Sequence, residues 1–343
     1  MTAEGDGGAD HPAEVTGEVE GEVGAVRTPS GPFATAVRWL LLVVVVTFAG
    51  LALRSSWTEV RSDLARMTVQ SVVLATLAFV LALGLQFFSW FRLLRGPVRG
   101  RPAADREQFG LHDGAVVYSV GQLGKYVPGA VWPAVIQADM GARRNLPWRS
   151  MVGAYTQVLV LSVTTGAVVG AVTAVGPVPW WVRAVALAGG VTGLVLTWAA
   201  VRPDALHSWM SSVMQRLTGA GFPERLVQRD AVVAGVSTLV AWVLVAVHAV
   251  LILRPLGVGW GDAVFVGGSF VFAWVCGIVA VPVPAGLGVR EAVLVLTVGA
   301  LTDRPTAIAL ALVSRLIQVA VDLGAAALLG SLGLALRRRR SAA

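Results

Sequence analysis

The sequence predicts an all-α protein, a polytopic membrane helix bundle of about eight spans with a re-entrant or broken-helix element among them. Three observations carry this. Of 343 residues, 56% are apolar and 14% charged, against about 25% charged in soluble domains. Mean hydropathy is +0.73. The apolar residues fall in runs of about 20, the length a helix needs to cross a bilayer. This composition excludes a soluble single-domain enzyme and a disordered chain.

Residues 1–33 carry seven acids before Gly24 and little apolar material, which predicts a disordered acidic cytoplasmic tail. The first apolar run begins near Ala34 with no small-residue cleavage site behind it, so it reads as a span and not a signal peptide. The transmembrane bundle covers 34–336. Its spans are 34–53, 69–91, 150–175, 179–201, 231–253, about 262–281, about 283–302 and about 306–336. The seventh is a broken helix over 282–302. The eighth is longer than a bilayer requires, so it tilts or extends into the cytoplasm, followed by a basic cytoplasmic tail at 337–343.

Between the second and third spans, residues 111–140 are less apolar and interrupted by Gly121, Gly124, Pro128, Gly129 and Pro133. This predicts a re-entrant element, whose irregular backbone must be buried in protein or line a wet cavity. In the loop 203–229, Leu206, Trp209, Met210, Val213, Met214 and Leu217 recur at helical spacing. They predict a helix over 205–218, either lying in the inner interface or packed on the bundle.

The cations test the layout. With both termini cytoplasmic, 19 of the 27 Lys and Arg fall inside, five outside, and Arg38, Arg183 and Arg315 within spans. That is a clear positive-inside bias. Net charge is +7, but the basic residues are spread between apolar runs, so they read as topology signals and contacts for anionic lipid, with no nucleic-acid partner. The single cysteine, Cys276, permits no intramolecular disulfide, and His11, His112, His207 and His248 have no metal-site spacing. No cofactor or metal is expected.

Two stretches concentrate chemistry. One is Gly121–Trp132 (GQLGKYVPGAVW), the other Val281–Ala292 (VPVPAGLGVREA). A single Pro or Gly would do no more than kink a helix for packing. Two clusters, one in each half of the chain and each beside a cation, point instead to paired broken helices around a transport cavity. Proline removes a donor, glycine permits unusual turns, and the start of a half-helix favours anions.

Intramembrane charge adds to this. Lys125 adjoins the first break, and Arg290 and Glu291 follow the second. Arg315 and Asp322, seven apart, share a face of the last span. Charge at the bilayer centre costs about 2.5–3.5 kcal/mol on insertion scales, so such groups face the interior and pair. Two readings stand open: salt bridges that lock the helices, or a cationic, hydrated cavity for an anionic head group, to which Arg offers a bidentate fork. On the third span Tyr155, Gln157, Ser162, Thr164 and Thr165 either line a polar path or bond to neighbouring backbone. Most of the twelve tryptophans sit near span ends as interfacial anchors. Trp132 and Trp274 do not, and their default is core packing.

At these segments the sequence resembles the transmembrane region of the lysylphosphatidylglycerol synthases. Gly121, Leu123, Gly124, Lys125, Tyr126, Pro128, Gly129 and Trp132 match its first motif. Pro282, Pro284, Gly286, Gly288, Arg290 and Glu291 match its second, and Arg315 its later arginine. The likeness covers roughly 36–336. Ala130 and Ala285 stand where glycines are usual, and Gln157 where many members carry Glu followed by Arg. In bifunctional members this region is regarded as a flippase for aminoacylated phosphatidylglycerol, while a separate soluble domain makes the lipid. With no such domain before Ala343, the resemblance implies a translocator and not an enzyme.

The expectation is therefore a flippase-like protein of the plasma membrane, moving an anionic or aminoacylated phospholipid or a lipid-linked precursor. Its binding set is Lys125, Tyr126, Pro128, Gly129, Trp132, Gln157, Pro284, Gly286, Gly288, Arg290, Glu291, Arg315 and Asp322. Its partners are membrane lipids with anionic head groups, with a homodimer or an envelope-biosynthesis partner left open. Two alternatives remain. One is a membrane-embedded glycosyl or lipid transferase using Glu59 and Asp63 of the first outer loop. The other is a non-transporting subunit of an envelope-biosynthesis complex.

Overall fold

A computed structural model describes residues 57–99, 109–127, 131–202, 208, 211–212, 215, 228–280 and 286–341. The predicted tail, the first span, Pro128, Gly129, Pro282, Pro284 and most of the 205–218 helix lie outside the described residues. Of that helix, Ser208, Ser211, Ser212 and Gln215 are described and helical.

All described regular structure is helical. The α-helices are α1 (Trp57–Arg66), α2 (Val69–Arg99), α3 (Leu111–Gln122), α4 (Trp132–Ala142), α5 (Trp148–Gly170), α6 (Trp180–Ala200), α7 (Gln228–Leu253), α8 (Ala263–Val279), α9 (Val289–Leu301) and α10 (Arg304–Ser341). Six of them are long and apolar enough to cross a membrane: α2, α5, α6, α7, α8 and α10. They coincide with predicted spans two to six and eight. The predicted seventh, expected to be broken, is α9, whose 13 residues reach only about 20 Å. Residues 111–127 and 131–142 hold two short helices, α3 and α4, packed on each other as a hairpin. Each arm is about 17 Å long, too short to cross alone.

Helix ends follow local chemistry. Thr68 caps α2, its Oγ1 accepting the Ser71 N–H at 3.2 Å. Asp303 caps α10 by accepting the Thr306 N–H at 2.7 Å, with Pro305 in the first turn, where its missing donor does no harm. Asn145, at φ 58°, closes α4 in the left-handed conformation that asparagine tolerates. Asp63 of the α1 segment is buried and accepts the Thr306 hydroxyl at 3.1 Å, so it ties α1 to the start of α10.

α2 and α7 make the most extensive helix pair. Arg92 and Asp230 join them through a 2.7 Å ion pair, and Ser89 donates to the Ala234 carbonyl at 3.1 Å. Two apolar cores succeed each other along these helices. One holds Ala75, Phe79 and Ala82 of α2 with α7, α8, α9 and α10. The other holds Trp90, Phe91, Leu93 and Leu94 with Val117, Tyr118, Met151 and Leu161. Between them, Leu83 and Gln86 face a cavity.

α6 lies at the edge and exposes Val185, Leu187, Val191, Leu194 and Val195, as a lipid-facing helix does. It meets α5 at Gly193, where a Cβ would stand 2.5 Å from the Thr164 carbonyl oxygen. Small residues allow such close approach in membranes, where packing and not hydrophobicity drives association. Gly193→Leu should therefore push α6 off and lower stability by about 2 kcal/mol, read as a lower melting temperature in detergent.

Candidate functional site

The second break lies between α8 and α9. Gly286 has φ 65° and Gly288 φ 79°, values that L side chains rarely adopt. Gly286 also lies against Gly277 of α8, and a Cβ on it would stand 2.7 Å from the Gly277 Cα. The chain then turns into α9, whose first turn is fixed by Glu291: its Oε2 accepts the Gly288 N–H at 2.6 Å. That geometry places Arg290 at the very start of α9, facing inward and only 3% exposed.

The Arg290 guanidinium sits 4.3 Å from the Trp274 ring centre and 4.6 Å from that of Phe270, a cation–π seat. It donates from Nη1 to Gln318 Oε1 at 3.0 Å and from Nη2 to Ser314 Oγ at 2.6 Å. Its Nε has no partner among the described residues. Ser314 Oγ also lies 3.0 Å from His248 Nε2, and His248 Nδ1 lies 2.9 Å from the Ala75 carbonyl oxygen. A carbonyl only accepts, so Nδ1 carries the proton, and a neutral ring then accepts from Ser314 at Nε2. A one-way chain of donors runs Arg290, Ser314, His248, Ala75.

The first break lies at the tip of the α3–α4 hairpin. A tight 3-10 turn, Leu123–Tyr126, ends α3, and Gly124 packs against the Trp132–Pro133 backbone at the start of α4. This delivers Lys125 and Tyr126 to α10. Lys125 Nζ lies 2.7 Å from Asp322 Oδ2, and the Tyr126 hydroxyl donates to the same oxygen at 2.6 Å. Asp322 is 1% exposed.

Both breaks open on one cavity of about 290 Å³. Lys125 and Gln122 reach it from the hairpin, Gly286 and Arg290 from the second break, and Gln318 from α10. Tyr155 and Ser162 of α5 and Gln86 of α2 complete the polar lining, and Ser162 donates to Gln86 Oε1 at 3.2 Å. Aromatic rings of Phe79, Trp90, Trp242 and Trp274 form much of the rest.

Charge is unevenly shared. Lys125 pairs with Asp322, and Arg315 pairs with Glu291 through Nε at 3.1 Å and Nη2 at 2.9 Å. Arg290 makes no ion pair among the described residues; its hydrogen bonds go to neutral groups. Three cations against two carboxylates leave a formal excess of one positive charge. Thus two salt bridges tie helices together, and one cation at the cavity has no carboxylate partner among the described residues.

Other predicted residues fall elsewhere. Arg315 does not line the cavity; it holds Glu291, and so the turn into α9. Trp132 starts α4 and is partly exposed. Gln157 is buried on α5 outside the lining, its Oε1 without a partner among the described residues. Thr165 donates to its own helix at Leu161, and Thr164 does the same at 3.3 Å. Sequence reasoning missed Ser314, Gln318 and His248. A signal existed: Ser314, Gln318 and Asp322 recur every four residues and make one polar stripe on α10. That stripe touches both broken segments.

The sequence matches the family described as lysylphosphatidylglycerol synthase TM region over residues 36–326. The chain belongs to this family. It is a multi-pass membrane protein, and the family match takes in both broken segments and the α10 stripe. No curated protein matches the chain. Within the lysylphosphatidylglycerol synthase TM family, then, this chain joins two breaks and one cavity through α10, with Arg290 as a cation that no carboxylate among the described residues pairs with.

Proposed function

We propose that this family member is a flippase-like lipid translocator of the plasma membrane with both termini in the cytoplasm. Its substrate is an anionic or aminoacylated phospholipid or a lipid-linked precursor. The α3–α4 hairpin is its re-entrant element and α9 its half-helix. The observation that carries this reading is the convergence of Lys125 and Arg290, from two separate broken segments, on one cavity.

The physics is that of a surrogate solvent. Carrying a charged head group through hydrocarbon is costly. A pocket with the Arg290 guanidinium and several amide and hydroxyl groups replaces the water that the head group loses. Arg290 suits exchange, because Ser314 and Gln318 are neutral acceptors that phosphate oxygens can outcompete as charge-assisted partners. Acyl chains stay in the bilayer. The transferase alternative gains nothing from Asp63, which is committed to Thr306 and Arg66.

The test is reconstitution of the full chain into phosphatidylcholine–phosphatidylglycerol liposomes. The quantity measured is the rate at which a fluorescent phosphatidylglycerol of the inner leaflet becomes accessible to dithionite. Arg290→Gln should slow translocation about tenfold or more, the worth of one charged hydrogen bond, while the melting temperature holds. Arg315→Gln should act more through stability than through transport. An Arg290→Gln protein that moves lipid as fast as the wild type would refute the assignment.

A further inference from the structure

Asp322 has one oxygen too many for its surroundings. Oδ2 is doubly bonded, to Lys125 at 2.7 Å and Tyr126 at 2.6 Å. Oδ1 is buried and has no partner among the described residues. An ionised carboxylate in such a place depends on its counter-ion, because a buried charge left unpaired costs several kcal/mol.

That counter-ion is not committed to Asp322 alone. Lys125 also lines the cavity, so one ammonium serves two acceptors. We propose that Asp322 is a proton-binding site coupled to occupancy of the cavity: an anionic head group takes the Lys125 ammonium, and Asp322 accepts a proton in its place. This rests on the reading above that the cavity receives anions. The proton adds to Oδ1, the oxygen with no partner, and comes from water on the side from which the head group enters. The Tyr126 hydrogen bond to Oδ2 is kept. One negative charge enters as a head group and one is cancelled on Asp322, so the bundle's net charge is the same loaded and empty.

The groups around Asp322 fit this role. The hairpin presents Lys125 and Tyr126, and α3 carries the buried Tyr118. On α9, Arg290 is held by Gln318 and Ser314, and Glu291 is held by Arg315 of α10 itself. α7 offers His248, which is engaged by Ser314 and Ala75. α2 has no charged residue between Val69 and Phe91, and α1 meets α10 at its other end, at Thr306. Lys125 is thus the cation that forms an ion pair with Asp322 among the described residues.

The experiment is calorimetric titration of the purified full chain in detergent with dihexanoyl phosphatidylglycerol, in two buffers of different ionisation enthalpy at neutral pH. The phosphodiester stays a monoanion, so any proton counted belongs to the protein. The expected result is about one proton taken up per anion bound by the wild type, falling to near zero per anion at saturation in Asp322→Asn, whatever its affinity. A parallel titration with glycerophosphoglycerol separates a lipid requirement from recognition of the head group alone. Binding by the wild type without proton uptake overturns the proposal and leaves the translocator reading standing. Undiminished uptake in Asp322→Asn assigns the proton elsewhere and also overturns it. Absence of any binding overturns both. If Asp322→Asn does not fold, a wild-type count near zero still overturns the proposal, and Asp322→Glu, which should keep the uptake, takes its place beside the wild type.

Discussion

Gly286→Val should destabilise the protein by about 3 kcal/mol or more and abolish transport with it. Two independent effects add at this position. The backbone sits at φ 65°, where a β-branched residue is strained. The first side-chain carbon would also stand 2.7 Å from the Gly277 Cα and 3.1 Å from its carbonyl carbon, and backbone cannot swing aside as a flexible side chain can. Relief requires α8 and α9 to separate, which carries Arg290 away from Trp274 and Gln318. The expected result is a much lower melting temperature in detergent, followed by intrinsic tryptophan fluorescence. Gly324→Val is the control: nothing lies within 4 Å of a Cβ there, so only helix propensity changes and the shift should be small. Equal shifts for the two variants would mean that the α8–α9 contact is not what holds the break in shape.

Lys125→Met should cost about 3 kcal/mol in stability, the usual scale for removing one partner of a buried pair. It leaves Asp322, with a side chain 0% exposed, bonded only to Tyr126. The penalty belongs to Asp322 losing its counter-ion and not to lost packing, since Met fills nearly the same space. Lys125→Met combined with Asp322→Asn should therefore be more stable than Lys125→Met alone. The coupling read from the double-mutant cycle should be about 2 kcal/mol. Additive effects would show that the two residues do not depend on each other.

Arg290 behaves in the opposite way, and the contrast separates structural from functional cations. Its partners Ser314 and Gln318 are neutral. Removing it strands no charge, so a neutral replacement loses function before it loses fold. Nothing in a hydropathy plot distinguishes Arg290 from Lys125, since both read as cations beside Pro and Gly breaks.

What the amino-acid sequence determined by itself is substantial. Apolar run length sets the spans, because only a helix satisfies its own backbone in lipid. The Pro and Gly clusters mark where helices must stop, because backbone geometry is local. The end of α3 and the start of α9 fall at those clusters for that reason, whereas the span expected over 283–302 is only the 13-residue α9. Only the tertiary structure decided which carboxylate neutralises which cation. Arg315 and Asp322 share a helix, yet Arg315 turns to Glu291 and Asp322 to the hairpin. Partner choice depends on how each helix is rotated about its axis and where it crosses its neighbours. Side-chain packing sets that rotation, and it leaves no period in the sequence.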